Sequence, residues 1–176
     1  MATEAQVSTA IMRGLKLSGH HAYKSSDKYT AGVADILGTY SSLPALASES
    51  VRALLPQTHA GRSIAIETKI VKAWPKRMTT KILQHEVSRA QVKFLESIND
   101  RGGLAYVAVA VPSAGPGVDV YLVPFDAWEV GSEAFDGKNV TQDWLRAHAP
   151  RSVQCMRGNL SKGFLASAGP LEASFA

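Results

Sequence analysis

Apolar and polar residues alternate with a period of two over Ser63-Ile64-Ala65-Ile66-Glu67-Thr68-Lys69-Ile70. That period predicts a strand from Ser63 to Val71, with Ile64, Ile66, Thr68 and Ile70 on one side and Ala65, Glu67 and Lys69 on the other. Glu67 and Lys69 then share a face, about 7 Å apart along the strand. Elsewhere the period is helical. Val7, Ala10, Ile11, Gly14, Leu15 and Leu17 predict a helix over Glu4 to Ser18, with Thr3 as N-cap and Gly19 as its stop. Val87, Ala90, Gln91, Phe94, Leu95 and Ile98 predict a second, over Val87 to Arg101, closed by Gly102-Gly103. Gln91 is an amide on that apolar stripe and needs a partner there. Leu104 to Val111 is an unbroken apolar run, hence a buried strand. Val118 to Val123 is expected to run antiparallel to it.

The remaining segments are weaker. His20 to Ser25 suits a short strand and Val33 to Tyr40 another, interrupted by Asp35. An acid within an apolar run is costly unless exposed, hydrogen-bonded or bound to a cation; a strand-end position is the plainer alternative. Ser41 to Arg62 reads as an inserted flap. Phe125 to Val130 and Thr141 to Ala147 suit short helices, and the tail from Pro150 carries no strong pattern. The order of elements predicts a single α/β domain, a central mixed sheet flanked by helices. Residues 1–130 would form its core, with the flap at 41–62, and residues 131–176 an extension of the same domain.

Composition narrows the chemistry. With 176 residues the chain is long enough for a real core. It contains no apolar run of about 18 residues, so no membrane span is expected. No signal-peptide pattern opens the chain, and the lone Cys155 excludes an internal disulfide and a cysteine-rich zinc site. This is a cytoplasmic pattern. His20, His21, His59, His85 and His148 have no partners at ligand or nucleophile spacing and are read as structural or surface groups. Net charge is +4 and the isoelectric point is near 9.3, which suits nucleic acid without requiring it. Lys72, Trp74, Pro75, Lys76, Arg77 and Lys81 form a basic stretch without an acid, suited to a phosphate backbone or simply to solvent.

If the Asp35 strand pairs with the Glu67 strand, the two carboxylates face each other at about 5 Å. Like charges repel at that distance, and a divalent cation reverses the argument. Magnesium takes one or two carboxylates plus waters, and the Thr68 carbonyl offers a further oxygen. Lys69 would lie beside a bound water, Gln91 would reach the same cleft, and Glu4 would approach from the first helix. The plainer reading of Glu67 and Lys69 is a solvated ion pair on a surface strand, and of Glu4 an acid favoured at a helix N-terminus.

Gly32-Val33-Ala34-Asp35-Ile36, Ile66-Glu67-Thr68-Lys69, Ser88-Arg89-Ala90-Gln91-Val92-Lys93-Phe94-Leu95 and Gly102-Gly103-Leu104-Ala105-Tyr106-Val107 occur in that order. Together they resemble the PD-(D/E)XK nuclease superfamily, within it the Holliday junction resolvases of the archaeal and RecU types, with the VRR-NUC nucleases nearly as close. The resemblance spans Glu4 to Val123. It implies a restriction endonuclease-like core and a magnesium-dependent endonuclease (manganese as the alternative) that resolves four-way DNA junctions as a homodimer, in the cytoplasm or encoded by a phage. It implies metal ligation by Asp35, Glu67 and the Thr68 carbonyl, with Glu4 in support. Lys69 would orient the attacking water or stabilise the phosphate, and Gln91 would position the lysine or the water. Lys24, Lys28, Lys72, Lys76, Arg77 and Lys81 would contact the DNA backbone. Ala34 stands where the family carries proline, and the Asp35–Glu67 gap is long, which leaves Asp27 as an alternative acid. No VRR motif follows the Gln91 helix, and Tyr121-Leu122-Val123-Pro124 resembles the RecU type. The competing expectations are a VRR-NUC or restriction-like nuclease on flaps or duplex, a catalytically inactive DNA-binding module, and a small α/β protein that binds no nucleic acid.

Overall fold

A six-stranded sheet runs through the chain, its strands hydrogen-bonded in sequence order. The structure is a computed structural model that describes residues 3–17, 20–25, 32–40, 61–113, 117–148 and 151–156. The strands are β1 (His21–Lys24), β2 (Ile36–Thr39), β3 (Ser63–Ile70), β4 (Leu104–Pro112), β5 (Gly117–Pro124) and β6 (Arg151–Met156). The helices are α1 (Glu4–Leu17), α2 (Arg89–Asp100), α3 (Phe125–Ser132) and α4 (Gln142–His148), with one 3-10 turn at Glu133–Phe135. β3 and β4 pair in parallel, and every other neighbouring pair is antiparallel. The chain is therefore a single α/β domain with a mixed sheet between helices.

Parallel neighbours need a crossover, and α2 supplies it between β3 and β4. Both faces of these central strands are covered, which is why β4 is apolar at nearly every position and buried from Leu104 to Val111. On one face Val7, Ile11 and Leu15 of α1 pack on Ile64, Ile66, Tyr106 and Ala108. On the other, Leu95 of α2 and Trp128 of α3 pack with Ala65, Val107 and Val109. The period-two split of β3 is thus a split between two cores. Glu67 and Lys69 share the parity of Ala65 and point to the α2 face. They are not on a surface strand: Glu67 is 1% and Lys69 7% exposed.

Several expected elements shrink, β2 and α2 most at their starts. β2 begins at Ile36, so Asp35 is a bend at its entrance, and α2 begins at Arg89 rather than Val87 because Ser88 caps it. The tail contributes β6, which pairs antiparallel to β5, from a segment without a strong pattern. Most of the expected flap (41–60) and Asp27 and Lys28 lie outside the described residues.

One buried amide ties the segment before α2 to the one before α4. Asn139 Oδ1 accepts from Ile82 N (3.2 Å) and Leu83 N (3.0 Å), and its Nδ2 donates to Leu83 O (2.9 Å) and Glu86 Oε1 (3.3 Å). Val87 N donates to Lys138 O (3.0 Å) close by. Removing a fully buried group of this kind leaves backbone donors and an acceptor unsatisfied. Asn139→Ala is expected to lose about 2–4 kcal/mol of stability with an unchanged denaturant slope. A urea titration checks this, and a loss below about 1 kcal/mol would show that the segment relaxes to find other partners.

Candidate active site

The site begins with a cap. Ser88 is the N-cap of α2 and its side chain accepts from Gln91 N, while Gln91 Oε1 accepts from Ser88 N at 2.9 Å, a reciprocal capping box. This orients the Gln91 amide: its oxygen is directed to Ser88 N and to Lys69 Nζ (3.5 Å), which leaves Nε2 to donate to Glu67 Oε1 at 2.6 Å. Lys69 Nζ lies 3.0 Å from the same Glu67 oxygen. A glutamine on an apolar stripe thereby gains its partners from the neighbouring strand. The motif was readable as Ser-x-x-Gln; its use as a cap is a geometric fact that the stripe alone did not show.

Two further acids arrive from other elements. β2 and β3 pair with Ile36 opposite Ile66, a register that places Asp35, one residue before the ladder, opposite Glu67. Asp35 Oδ2 accepts from Thr68 N at 3.0 Å. Glu4, in the first turn of α1, accepts through Oε1 from Ile70 N at 3.3 Å. Both carboxylates satisfy backbone donors at the end of the central strand. Glu4 is therefore more than a helix-dipole acid.

Three carboxyls against one ammonium leave an excess of negative charge in a largely buried place. Burial raises the Glu67 pKa most, the charge of Asp35 raises it further, and Lys69 only partly offsets both; Glu4 adds a smaller upward push, and the result is about 7. Glu67 Oε1 carries the bonds to Lys69 and Gln91, while Oε2 is buried with no hydrogen-bond partner among the described residues. A buried carboxylate oxygen without a donor, beside a second carboxylate, is a fit for a cation. Among the described residues no group of three or more His, Cys, Asp or Glu side chains is placed to hold a metal ion. A cation held here would take few protein oxygens and would need water at its remaining positions.

A glycine holds the two halves together. Gly32 has φ +101°, and a Cβ there would lie 2.4 Å from Ala90 Cβ in the first turn of α2. The approach to Asp35 and the turn carrying Gln91 are stacked without room for a methyl group.

The expected DNA-contacting cations lie on two segments. Lys72, Lys76 and Arg77 are exposed in the segment after β3, and Lys24 is exposed at the end of β1. Lys81 is exposed too, but it pairs with Glu86 at 2.7 Å. His20 is buried against the Tyr40 ring and His148 stacks on Trp144, whereas His85 is exposed. No described histidine is a hydrogen-bond partner of Glu67, Lys69 or Gln91.

The chain resembles a solved structure of Hjc, a Holliday junction resolvase of the archaeal hyperthermophile Archaeoglobus fulgidus, with a TM-score of 0.51 and 14% identity over 84% of this chain and 94% of that one. At that identity the likeness establishes a shared fold. No protein-family model and no curated protein matches the sequence.

Two outcomes follow from the geometry. Gly32→Ala must move the α2 turn or strain a left-handed backbone, and is expected to cost about 2 kcal/mol or more. Adding Ala90→Gly, which removes the atom it strikes, should restore part of that loss in a thermal melt. The raised Glu67 pKa gives a pH signature. The folded state holds this proton more tightly than an unfolded carboxyl near 4.5, so stability falls as pH rises from about 4.5 to 7 and is level above. The full penalty is about 3 kcal/mol. Denaturation in chelator between pH 5 and 8 should show this slope in the wild type and a flatter one in Glu67→Gln; equal slopes would contradict it.

Proposed function

We propose that the protein is a divalent-metal-dependent endodeoxyribonuclease that resolves four-way DNA junctions by phosphodiester hydrolysis. The observation that carries this reading is the buried group of Glu67, Lys69 and Gln91, with Asp35 opposite Glu67 across the β2–β3 register. An apolar core has no use for three acids and one lysine at the end of its central strand. A hydrolytic site that must hold a cation and a water has a use for each of them. The likeness of the fold to a junction resolvase supports the choice of substrate.

Asp35, Glu67 and the Thr68 carbonyl would hold the cation, magnesium or manganese. When bound, it would polarise the scissile phosphate and acidify a ligated water. The side chains do the rest. The Lys69 ammonium, held by Glu67 and Gln91, retains a donor for the attacking water or for a phosphate oxygen as its negative charge grows. Gln91 keeps that ammonium from pairing wholly with Glu67, because it donates to the same carboxylate oxygen and accepts from the lysine. Glu4 fixes Ile70 N and contributes negative charge at the edge. Lys24, Lys72, Lys76, Arg77 and Lys81 would contact backbone phosphates, which gives affinity and salt dependence without base specificity. Paired cuts in a symmetric junction require two sites, so the working form would be a homodimer.

The test is cleavage of a labelled four-way junction in magnesium, with a linear duplex as control. Wild type is expected to place paired, symmetric nicks in the junction. Glu67→Ala and Lys69→Ala should each lower the rate about a hundredfold or more, with junction binding in chelator retained. Equal cutting of the duplex would move the assignment to a flap, VRR-NUC or restriction-like nuclease. Binding without cleavage by the wild type would leave an inactive DNA-binding module.

A further inference from the structure

Arg146 lies on α4, far along the chain from the candidate site, yet its guanidinium carbon is 4.8 Å from the centroid of the Trp74 ring. In the amide orientation that satisfies both of its ends, with the oxygen turned to the guanidinium, Gln142 accepts from Nε (3.3 Å) and Nη2 (2.9 Å). Gln142 is buried, whereas Arg146 is exposed. No carboxylate pairs with Arg146 among the described residues. An exposed arginine is usually mobile in water or neutralised by an acid. Here an aromatic face and an amide fix its plane, and neither cancels its charge. The Nη1 edge is left for an anion.

The same segment supplies the other cations. Trp74 lies between Lys72 and Lys76, directly after the strand that carries Glu67 and Lys69. The segment is fastened to the start of α4 by its backbone: Gln142 N and Asp143 N donate to Met78 O (3.0 and 3.2 Å), and Lys81 bridges to Thr141. Of the nearby acids Glu86 is ion-paired, whereas Asp143 keeps its charge and is outnumbered by Lys72, Lys76, Arg77 and Arg146. Asp143 accepts from Thr141 Oγ1 and Trp144 N, and Glu86 is held by Lys81 and Asn139. Lys72, Lys76 and Arg77 form no ion pair among the described residues. The surface that results is positive and held in shape before any ligand arrives.

We propose that Arg146, braced by Trp74 and Gln142, is a pre-positioned clamp for a backbone phosphate of duplex DNA, and that α4 thereby completes the basic surface beside the candidate active site. The proposal rests on the nuclease reading for its ligand. A planar guanidinium matches two phosphate oxygens at once, and the ring and amide that brace it lower the ordering cost of binding. It reads no sequence, as suits an enzyme selected by DNA shape.

The experiment is equilibrium binding of a labelled four-way junction and a linear duplex by the full chain, in chelator, over a range of salt. Arg146→Ala is expected to weaken binding about five- to tenfold near 0.1 M salt and to reduce the slope of log K against log salt by about one. Trp74→Leu removes no charge, yet should reproduce much of the loss in affinity, and Arg146→Lys should restore the slope but not the full affinity. Arg13→Ala, an exposed cation on α1 across the sheet, should change neither. Circular dichroism and melting temperature confirm that each variant is folded. Wild-type affinity and slope in Arg146→Ala, an equal loss in Arg13→Ala, or unchanged binding in Trp74→Leu would each overturn the clamp while the nuclease reading stands. A wild type that binds neither DNA would end both.

Discussion

The carboxylate of Glu67 is the constraint around which the rest is arranged. It lies in the central strand of a sheet covered on both faces, where an ionised acid is expensive. The chain does not neutralise it fully. One oxygen is shared by Lys69 and Gln91, the other has no donor among the described residues, and Asp35 adds a second negative charge from the next strand. Replacing such a group by a hydrophobic residue would be the cheaper solution for stability alone. Under the nuclease function proposed above, its presence is explained by the cation it would hold.

Holding it requires three elements to meet at one point. β3 supplies Glu67 and Lys69 on the same face because its period is two. α2 delivers Gln91 with a set amide orientation because the capping box with Ser88 uses the amide oxygen. The segment entering β2 delivers Asp35, and the absence of a side chain at Gly32 lets that segment lie against Ala90 of α2. The site lies toward the C-terminal end of β3, a parallel strand, which is where crossover connections leave room for ligands in sheets of this class. The same end opens into the basic segment, and Asn139 and α4 give that segment its shape.

Much of this could be read from residue order. The two long helices, the buried β4 and the pairing of β4 with β5 come from periodicity that is local to each segment. So does the common face of Glu67 and Lys69. The boundaries moved where a side chain intervened, as Ser88 does at α2. β6 escaped because Arg151–Met156 is short and carries no unbroken apolar run; its place depends on the free edge of β5, which no local pattern reports. Arg146 escaped for a similar reason. Nothing in the sequence joins it to Trp74.

By itself the sequence determined which residues share a strand face or a helix stripe, because periods of two and 3.6 are properties of consecutive residues. It also placed a cation-rich segment directly after the acid-bearing strand. Only the tertiary structure decided how deeply Glu67 and Lys69 are buried, that Asp35 and Glu4 come to the end of β3, that Gln91 serves at once as cap and as ligand of a carboxylate, and that α4 reaches the basic segment. Those outcomes depend on strand register and on contacts between distant segments. Register is set by the whole sheet and its two cores, so the electrostatics of the site belongs to the assembled fold rather than to any one segment.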